Sequence, residues 1–587
     1  MLTPEQLAHC SDDILKLYAQ LEDEIIRDIA RRIVKAGNVT DTGEWQINAL
    51  QEVGTLHSDI ISSVAKYSNL SDEQIKRLFE DASMVATEYD NEIYRANGLN
   101  PVSIKVSASA LQILEAGYKK TVGNINNLTR TTAITSQTSF INACTLAEMK
   151  VTSGAFTYQQ AITDAIKQVA KDGAYVLYES GHIDRLDVAV RRNVMTGIGQ
   201  TTGEICLNNA RELGCDLMEI TAHAGARPSH AFWQGQIVSL SGRNGYLSLS
   251  DIGYGTGEGF KGWNCRHDWY PYFEGSTRMY SQKELEELDA KNVEFPDETM
   301  HTLYEAEQCQ RAFERKIRST KRTLIACDEA LNNLSDKKLL SNLKKEFDAY
   351  SLKLKSQEAE MKAFCNYTGL YPQSSRTQTL KFGRSISQTV VHRNKLINEI
   401  ADMYKVDFGK MSKLDIFYLD REALKAKREY FTSNYKNRGN FAIMYYNGEY
   451  YYAHSRANIV DGVENTAFSK FKGDKSHLAR TDVDENNRSF RTFDVEQLTG
   501  KKFTPVSTDV NRFNTFEDTE AKLFESLEKM WYNNKNKTIN ILSERGMCDS
   551  CKYVAEQFIK KHPEAKVNIV SGAKTTGDPW KGRKPYD

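Results

Sequence analysis

The stretch INILSERGMCDSCKYVAEQFIKKHP, residues 539–563, decides how the last third of this chain folds. Thr538 to Leu542 reads as a short strand, and Cys548 to about Lys561 as a helix. Just upstream, DTEAKLFESL at 518–527 opens a helix running from Asp518 to about Trp531, and KVNIV at 566–570 supplies another strand. Earlier still, Phe441-Ala-Ile-Met-Tyr-Tyr and Glu449-Tyr-Tyr-Tyr-Ala flank Asn447-Gly448, the strongest short signal for a β-hairpin with a tight turn. The order ββ…αβαβ predicts an α/β domain over residues 391–587, a mixed sheet flanked by helices.

Chemistry concentrates at the starts of the two helices. Cys548 and Cys551, three positions apart, face one side of a helix whose N-terminus lowers thiol pKa values, so both suit a borderline cation such as Zn²⁺. At the irregular first turn of the preceding helix, Asp518 can supply an oxygen ligand and Glu520 can carry a proton. A catalytic zinc keeps its fourth position for water and brings the pKa of that water toward about 7. Blander accounts remain open: Asp518 as an N-cap, Glu520 as a first-turn carboxylate, and the cysteines as buried thiols or a redox pair. His454 ends a strand and either reaches the pocket or is a satisfied strand-end histidine.

Outward from this unit, residues 366–390, with Tyr-Pro, paired serines and FGRSIS, read as a linker. Residues 282–365 are charged and helical, with Leu324, Leu331, Leu340 and Leu343 among many Lys and Glu, the pattern of a solvated helical hairpin or coiled-coil arm. Residues 211–281 switch to alternation at Leu217 and then to Gly-rich and aromatic-rich loops, predicting a small α+β unit. Residues 1–210 are helical. Ile14, Tyr18, Leu21, Ile25 and Ile29 form one stripe, Ser11 and Gly37 read as its start and stop, and capping boxes lie at Ser71–Gln74 and Thr157–Gln160. The fold class is therefore multidomain: a mainly α-helical N-terminal region with a small α+β unit, followed by the α/β domain.

The α+β unit carries HAGARPSHAFWQG from His223, with Arg227 and His230, and about thirty residues later Asn264, Cys265, Arg266 and His267. Three histidines and a cysteine could bind zinc, and His223 with His230 could do acid/base work. The plainer account is that Arg and His side chains tie loops together by hydrogen bonds while Trp233, Trp263 and Trp269 fill the space.

The 587 residues suggest about four domains at roughly 150 residues each. Lys+Arg 77 against Asp+Glu 78 leaves a net charge of -1, so any nucleic-acid binding must come from a local patch. The tail Lys574 to Lys584 with Trp580 is such a patch, or merely solvated. Ten cysteines are too sparse for a disulfide framework, pointing to a reducing compartment. The N-terminus has acids where a secretory signal needs a basic start, and no run approaches a membrane span, so no membrane insertion is expected.

DTEAKLFESL, INILSERGMCDSCKYVAEQFIKKHP and KVNIV resemble the zinc deaminase domains at the C-termini of bacterial polymorphic toxins, some of which begin the first motif with Asp instead of His. The resemblance implies a cytidine-deaminase-like fold, Asp518, Cys548 and Cys551 as Zn²⁺ ligands, Glu520 as general acid/base, and Ser543 and Glu544 as residues shaping the pocket. Two departures stand out. Met547 replaces the usual proline, and Asp518 makes three negative ligands on a dication, to be offset by Arg545, Lys522 or backbone N–H groups.

HAGARPSHAFWQG, GWNCRHDWYPYFEG and YEAEQCQRAFERKIRSTKR in turn resemble the phage Mu F-like head-morphogenesis group, in the minor capsid protein 2 subgroup, over roughly residues 1–385. That implies a virion protein near the portal vertex, with portal and capsid proteins as partners. The C-terminal domain would then be an effector delivered to the bacterial cytoplasm, with nucleic acid or a nucleotide as substrate and an immunity protein as a further partner. The alternative is a purely structural portal-associated head protein whose C-terminal module is degenerate and non-catalytic.

Overall fold

The computed structural model describes residues 1–36, 42–377, 379, 384–432, 435, 439–460, 462–479, 489–490, 518–531 and 537–572. Gly37 and the Lys574–Lys584 tail, each given a meaning from sequence, lie outside them. Two compact units are present, Met1–Val391 and His392–Asp587.

In Met1–Val391 the helices α1 (Pro4–His9), α2 (Asp12–Ala36), α3 (Thr42–Ala96), α4 (Ala108–Thr152) and α5 (Tyr158–Asp172) precede a ribbon of β1 (Tyr175–Leu177) and β2 (Ile183–Arg185) and the long α6 (Leu186–Glu212). All five residues of the α2 stripe are buried, each apolar side chain contributing about 1.5–3 kcal/mol. Thr157 and Gln160 form the expected capping box of α5. Ser71 does not cap a helix: it lies inside α3, where its hydroxyl donates back to Ser68 O at 2.8 Å, a bond available to any mid-helix serine. α4 and α6 approach so closely that a Cβ at Gly197 would sit 2.1 Å from Thr121 Oγ1, which only glycine permits.

The next segment builds a four-stranded sheet, order β5-β4-β3-β6, from β3 (Leu217–Ile220), β4 (Ile237–Ser239), β5 (Leu247–Ser248) and β6 (Trp269–Tyr272), with the short α7 (Pro228–Ala231) after β3. β3 is buried on both faces. Trp233 and Trp269 join one continuous apolar cluster with the helices. Trp263 does not fill space as expected, being 52% exposed, and Asn264 beside it adopts a left-handed conformation. Then come α8 (Gln282–Leu288), the two-residue strands β7 (Val293–Glu294) and β8 (Met300–His301), α9 (Leu303–Asn332), α10 (Lys337–Thr368) and α11 (Ser374–Thr377). α9 and α10 form the expected hairpin but not a solvated arm. α9 packs on α2 and α5, burying Leu324, while Leu339 and Leu343 are buried on α10. The 366–390 stretch is tied back to α9 by Gln310 Nε2 donating to Tyr371 O (2.8 Å) and Lys321 Nζ to Thr377 O (2.8 Å).

In His392–Asp587 a five-stranded mixed sheet has the order β11-β10-β14-β15-β9. The elements are α12 (Arg384–Ala401), β9 (Tyr404–Phe408), α13 (Lys413–Tyr430), β10 (Phe441–Tyr446), β11 (Glu449–His454), a small ribbon of β12 (Ile459–Val460) and β13 (Val463–Glu464), α14 (Thr466–Ser469), α15 (Thr519–Met530), β14 (Thr538–Ser543), α16 (Asp549–Lys561) and β15 (Lys566–Gly572). The β10–β11 hairpin turns at Asn447 and Gly448, both at positive φ. Within this sheet β14 and β15 pair in parallel, α16 crossing between them.

Strand alternation feeds two cores. Phe441, Ile443, Leu542 and Val570 face α13, whereas Met444, Ile541, Val567 and Ile569 face α15 and α16. The α-β-α layering agrees with the mixed sheet flanked by helices. β9 and α13 precede the order read from sequence.

Candidate metal centre

The centre forms where α15 and α16 begin on the same side of the sheet. Asp518 is the N-cap of α15, yet its side chain makes no capping bond. Its Oδ2 instead stands 3.2 Å from Cys548 Sγ and 3.6 Å from Cys551 Sγ. Cys548 is the N-cap of α16 and its sulfur accepts the Cys551 N–H at 3.4 Å. The CxxC spacing thus places one sulfur on the cap and the other one turn in. Asp518, Cys548 and Cys551 offer ligand atoms all within 4.8 Å of one another.

These separations suit zinc. With Zn–S of about 2.3 Å and Zn–O of about 2.0 Å, a tetrahedral site sets sulfur and oxygen ligands about 3.5 Å apart. The donor chemistry is also right, two thiols and one carboxylate.

Glu520, fully buried, puts Oε2 3.5 Å from Cys551 Sγ, and its Oε1 has no hydrogen-bond partner among the described residues. Burial, with the Asp518 charge, raises its pKa, although Ser543 and Thr519 hydroxyls oppose. The Cys551 thiol is likewise held well above its ordinary value, first by its bond with Cys548, then by burial and by the charges of Glu520 and Asp518. The lowering expected from the helix N-terminus is therefore overturned at Cys551, because the bond with Cys548 and burial outweigh a partial charge.

The neighbouring residues divide. Ser543 ends β14, buried, and accepts from Asn440 Nδ2 at 3.2 Å. Glu544 is buried against Lys427 of α13, Nζ to Oε1 2.5 Å. His454 has both ring nitrogens engaged: Nδ1 accepts from the Arg456 N–H (3.1 Å) and Nε2 donates to Tyr435 O (3.1 Å). It is the satisfied strand-end histidine, and burial pushes its pKa down to about 4. Lys522 is fixed by neutral acceptors at the end of β11. Its Nζ donates to the carbonyls of His454 (2.9 Å), Ser455 (3.3 Å) and Ala457 (3.1 Å) and to Asn458 Oδ1. Met547, in place of proline, keeps an N–H that donates to Ser571 Oγ at 3.2 Å, so the turn is tied rather than loosened.

Asn440 is the residue that sequence missed. It donates to Thr519 Oγ1 (2.8 Å) and Ser543 Oγ, and its Oδ1 accepts from the Arg545 N–H (3.1 Å), linking the starts of both helices to the sheet. A single Asn before a strand carries no signal of that role.

The second constellation lies in Met1–Val391. His230, Cys265 and His267 also bring ligand atoms within 4.8 Å of one another, all three buried. Cys265 Sγ is 3.6 Å from His267 Nδ1, His267 Nε2 is 3.3 Å from Gln234 Oε1, and His230 Nε2 meets Glu258 O at 2.8 Å. The His223 ring lies 4.4 Å from that of His267, and its Nδ1 meets Ala224 O at 2.9 Å. Arg227 donates to Trp263 O and Arg266 to Gly225 O, as the loop-tying account expects. Burial pushes His223 and His230 down to about 4, so neither is poised for acid/base work near neutrality.

Comparison with known proteins divides the chain similarly. The profile described as phage minor capsid protein 2 matches residues 2–366. The toxin-deaminase profile, described as the BURPS668_1122 family of deaminases, matches residues 424–572. The chain is 29% identical over 318 residues to a structural protein of Lactococcus phage LL-H, covering 50% of this chain and 80% of that protein. It is 34% identical over 101 residues to a structural protein of Lactococcus phage mv4, covering 17% of this chain and 72% of that protein. No solved structure matches. Among the described residues no helix is long and apolar enough to cross a membrane.

Proposed function

The chain belongs to the phage minor capsid protein 2 family, and from that premise we propose that it is a head protein near the portal carrying a zinc-dependent nucleobase deaminase in residues 391–587, with a cytidine-deaminase-like fold. The observation that carries this reading is the convergence of Asp518, Cys548 and Cys551 beside the buried carboxyl of Glu520. Asp518, Cys548 and Cys551 would hold the zinc, which supplies Lewis acidity and brings the pKa of a water molecule toward neutrality.

Glu520 takes a proton from the attacking water and hands it to the departing amino group. The water oxygen bonds the amidine carbon, the C–N bond breaks, and ammonia leaves. Burial suits Glu520 to this exchange because a raised pKa lets it hold the proton between the two transfers. Asn440 and Ser543 position the helix starts. The substrate class is cytosine or adenine, in nucleic acid or as a nucleotide. The virion is the delivery vehicle, the bacterial cytoplasm the site of action, and an immunity protein the expected safeguard in a producing cell.

Ammonia release by the full chain, offered cytidine, adenosine and single-stranded oligonucleotides, tests this reading. Release with at least one of them should vanish in Glu520→Gln while zinc content stays unchanged. Zinc-loaded chain inactive on all of them, or release that survives in Glu520→Gln, overturns it.

A further inference from the structure

The HAGAR and NCRH motifs border a cavity of about 470 Å³ among α2, α6, α9 and α11. Of its lining side chains, eight are arginine or lysine and only three are carboxylates, in a chain whose net charge is -1. Positive charge is therefore concentrated here rather than spread.

Lys16 is paired with Asp13 at 2.7 Å, whereas three of the arginines are held by backbone carbonyls. Arg191 donates to Ala8 O (2.7 Å), Arg227 to Trp263 O (2.6 Å) and Arg266 to Gly225 O (3.1 Å), bonds that fix each guanidinium without neutralising it. Arg266 and Arg311 share the single Glu307 carboxylate, at 3.5 and 3.0 Å. Arg318 is matched by Asp187, which also faces Arg322 at 3.9 Å. Arg376, on α11, has no carboxylate within ion-pair distance among the described residues. Burial, followed by the charges of Arg191 and Arg311, pushes it down to about 10, although the carboxylates of Glu314 and Glu307 oppose. Like charges so confined repel until an anion joins them. Guanidinium forks match the geometry of phosphate oxygens, and the volume is that of a small-ligand site.

We propose that this cavity binds a phosphate group, carried by a free nucleotide or by a nucleic-acid terminus, through Arg191, Arg227, Arg266, Arg311 and Arg376. The histidines at its edge, His223, His230 and His267, stay uncharged near neutrality and so add no further repulsion.

Titration calorimetry of the full chain with inorganic pyrophosphate tests the proposal independently of the deaminase centre. The expected result is saturable binding at one site, weakened about tenfold or more in Arg376→Ala. In anion-free buffer the melting temperature of Arg376→Ala should be unchanged or higher, because the substitution relieves repulsion and breaks no ion pair. Should Arg376→Ala prove insoluble, Arg376→Lys, which keeps the charge but loses the fork, should bind more weakly than wild type. A second arm compares ATP with an oligonucleotide bearing a 5′-phosphate and with its dephosphorylated twin. Tighter binding of the phosphorylated oligonucleotide assigns the site to nucleic-acid ends, and tighter binding of ATP assigns it to free nucleotides. No binding of pyrophosphate at millimolar concentration, equal binding by wild type and variants, or a lowered melting temperature of Arg376→Ala overturns the proposal.

Discussion

Asp518 Oδ2 stands 3.2 Å from Cys548 Sγ although 30 positions of chain separate the two residues. The sheet makes this meeting possible, since β14 carries the chain back from the end of α15 to the start of α16. Because Asp518 spends no oxygen on capping its own helix, its carboxylate belongs to the site. Asp518→Asn and Cys551→Ser should each lower zinc content from about one per chain to a small fraction, Cys551→Ser more completely, because thiolate is the better zinc ligand. Plasma mass spectrometry of the purified full chain reads this directly.

Lys522 is buried, and its ammonium holds three backbone carbonyls together at the end of β11. Lys522→Met takes the shared donor from those oxygens, of which His454 O also accepts the Ala457 N–H at 3.0 Å, and should cost about 3 kcal/mol. Urea denaturation should show the loss, while zinc content of the folded fraction stays unchanged.

The Lys427–Glu544 pair ties α13 to the end of β14. Glu544→Ala removes the carboxylate that faces this buried ammonium and should destabilise by about 3–5 kcal/mol, whereas the double variant Lys427→Met with Glu544→Leu should lose much less. A double-mutant cycle in urea measures the coupling.

His454, pushed down to about 4 by burial, is neutral in the folded protein, whereas the unfolded chain protonates it near 6.5. Between those values the unfolded state binds more protons, so stability is complete above about pH 6.5 and falls as pH drops toward 4. His223 and His230 act with the same sign in Met1–Val391. Urea midpoints at pH 7 and pH 4.5 should differ in that direction, with a smaller difference for the His392–Asp587 transition in His454→Asn.

Much of the C-terminal unit was legible because its signals are local. Asn447-Gly448 fixes a hairpin, β14 and β15 are apolar, and CxxC marks a helix start. β9 was missed because Tyr404–Phe408 is a partly exposed edge strand whose polar residues resemble a loop, and only its pairing with β15 defines it. Ser71 misled because a capping box written in sequence is indistinguishable from the same residues inside a 55-residue helix. Lys522 looked like a counter-charge to the ligands, but its partners are carbonyls brought in from the hairpin, which no spacing along the chain reveals. The arginines around Arg376 come from segments scattered between α6 and α11, so the charge they share emerges only on folding.

Zinc K-edge absorption of the full chain tests the central claim most directly. The account predicts two sulfur ligands per zinc at about 2.3 Å with oxygen at about 2.0 Å. A shell of one sulfur and two nitrogens would place the metal on His230, Cys265 and His267 instead, and a shell without sulfur, or no bound zinc, would contradict a centre built on Asp518, Cys548 and Cys551.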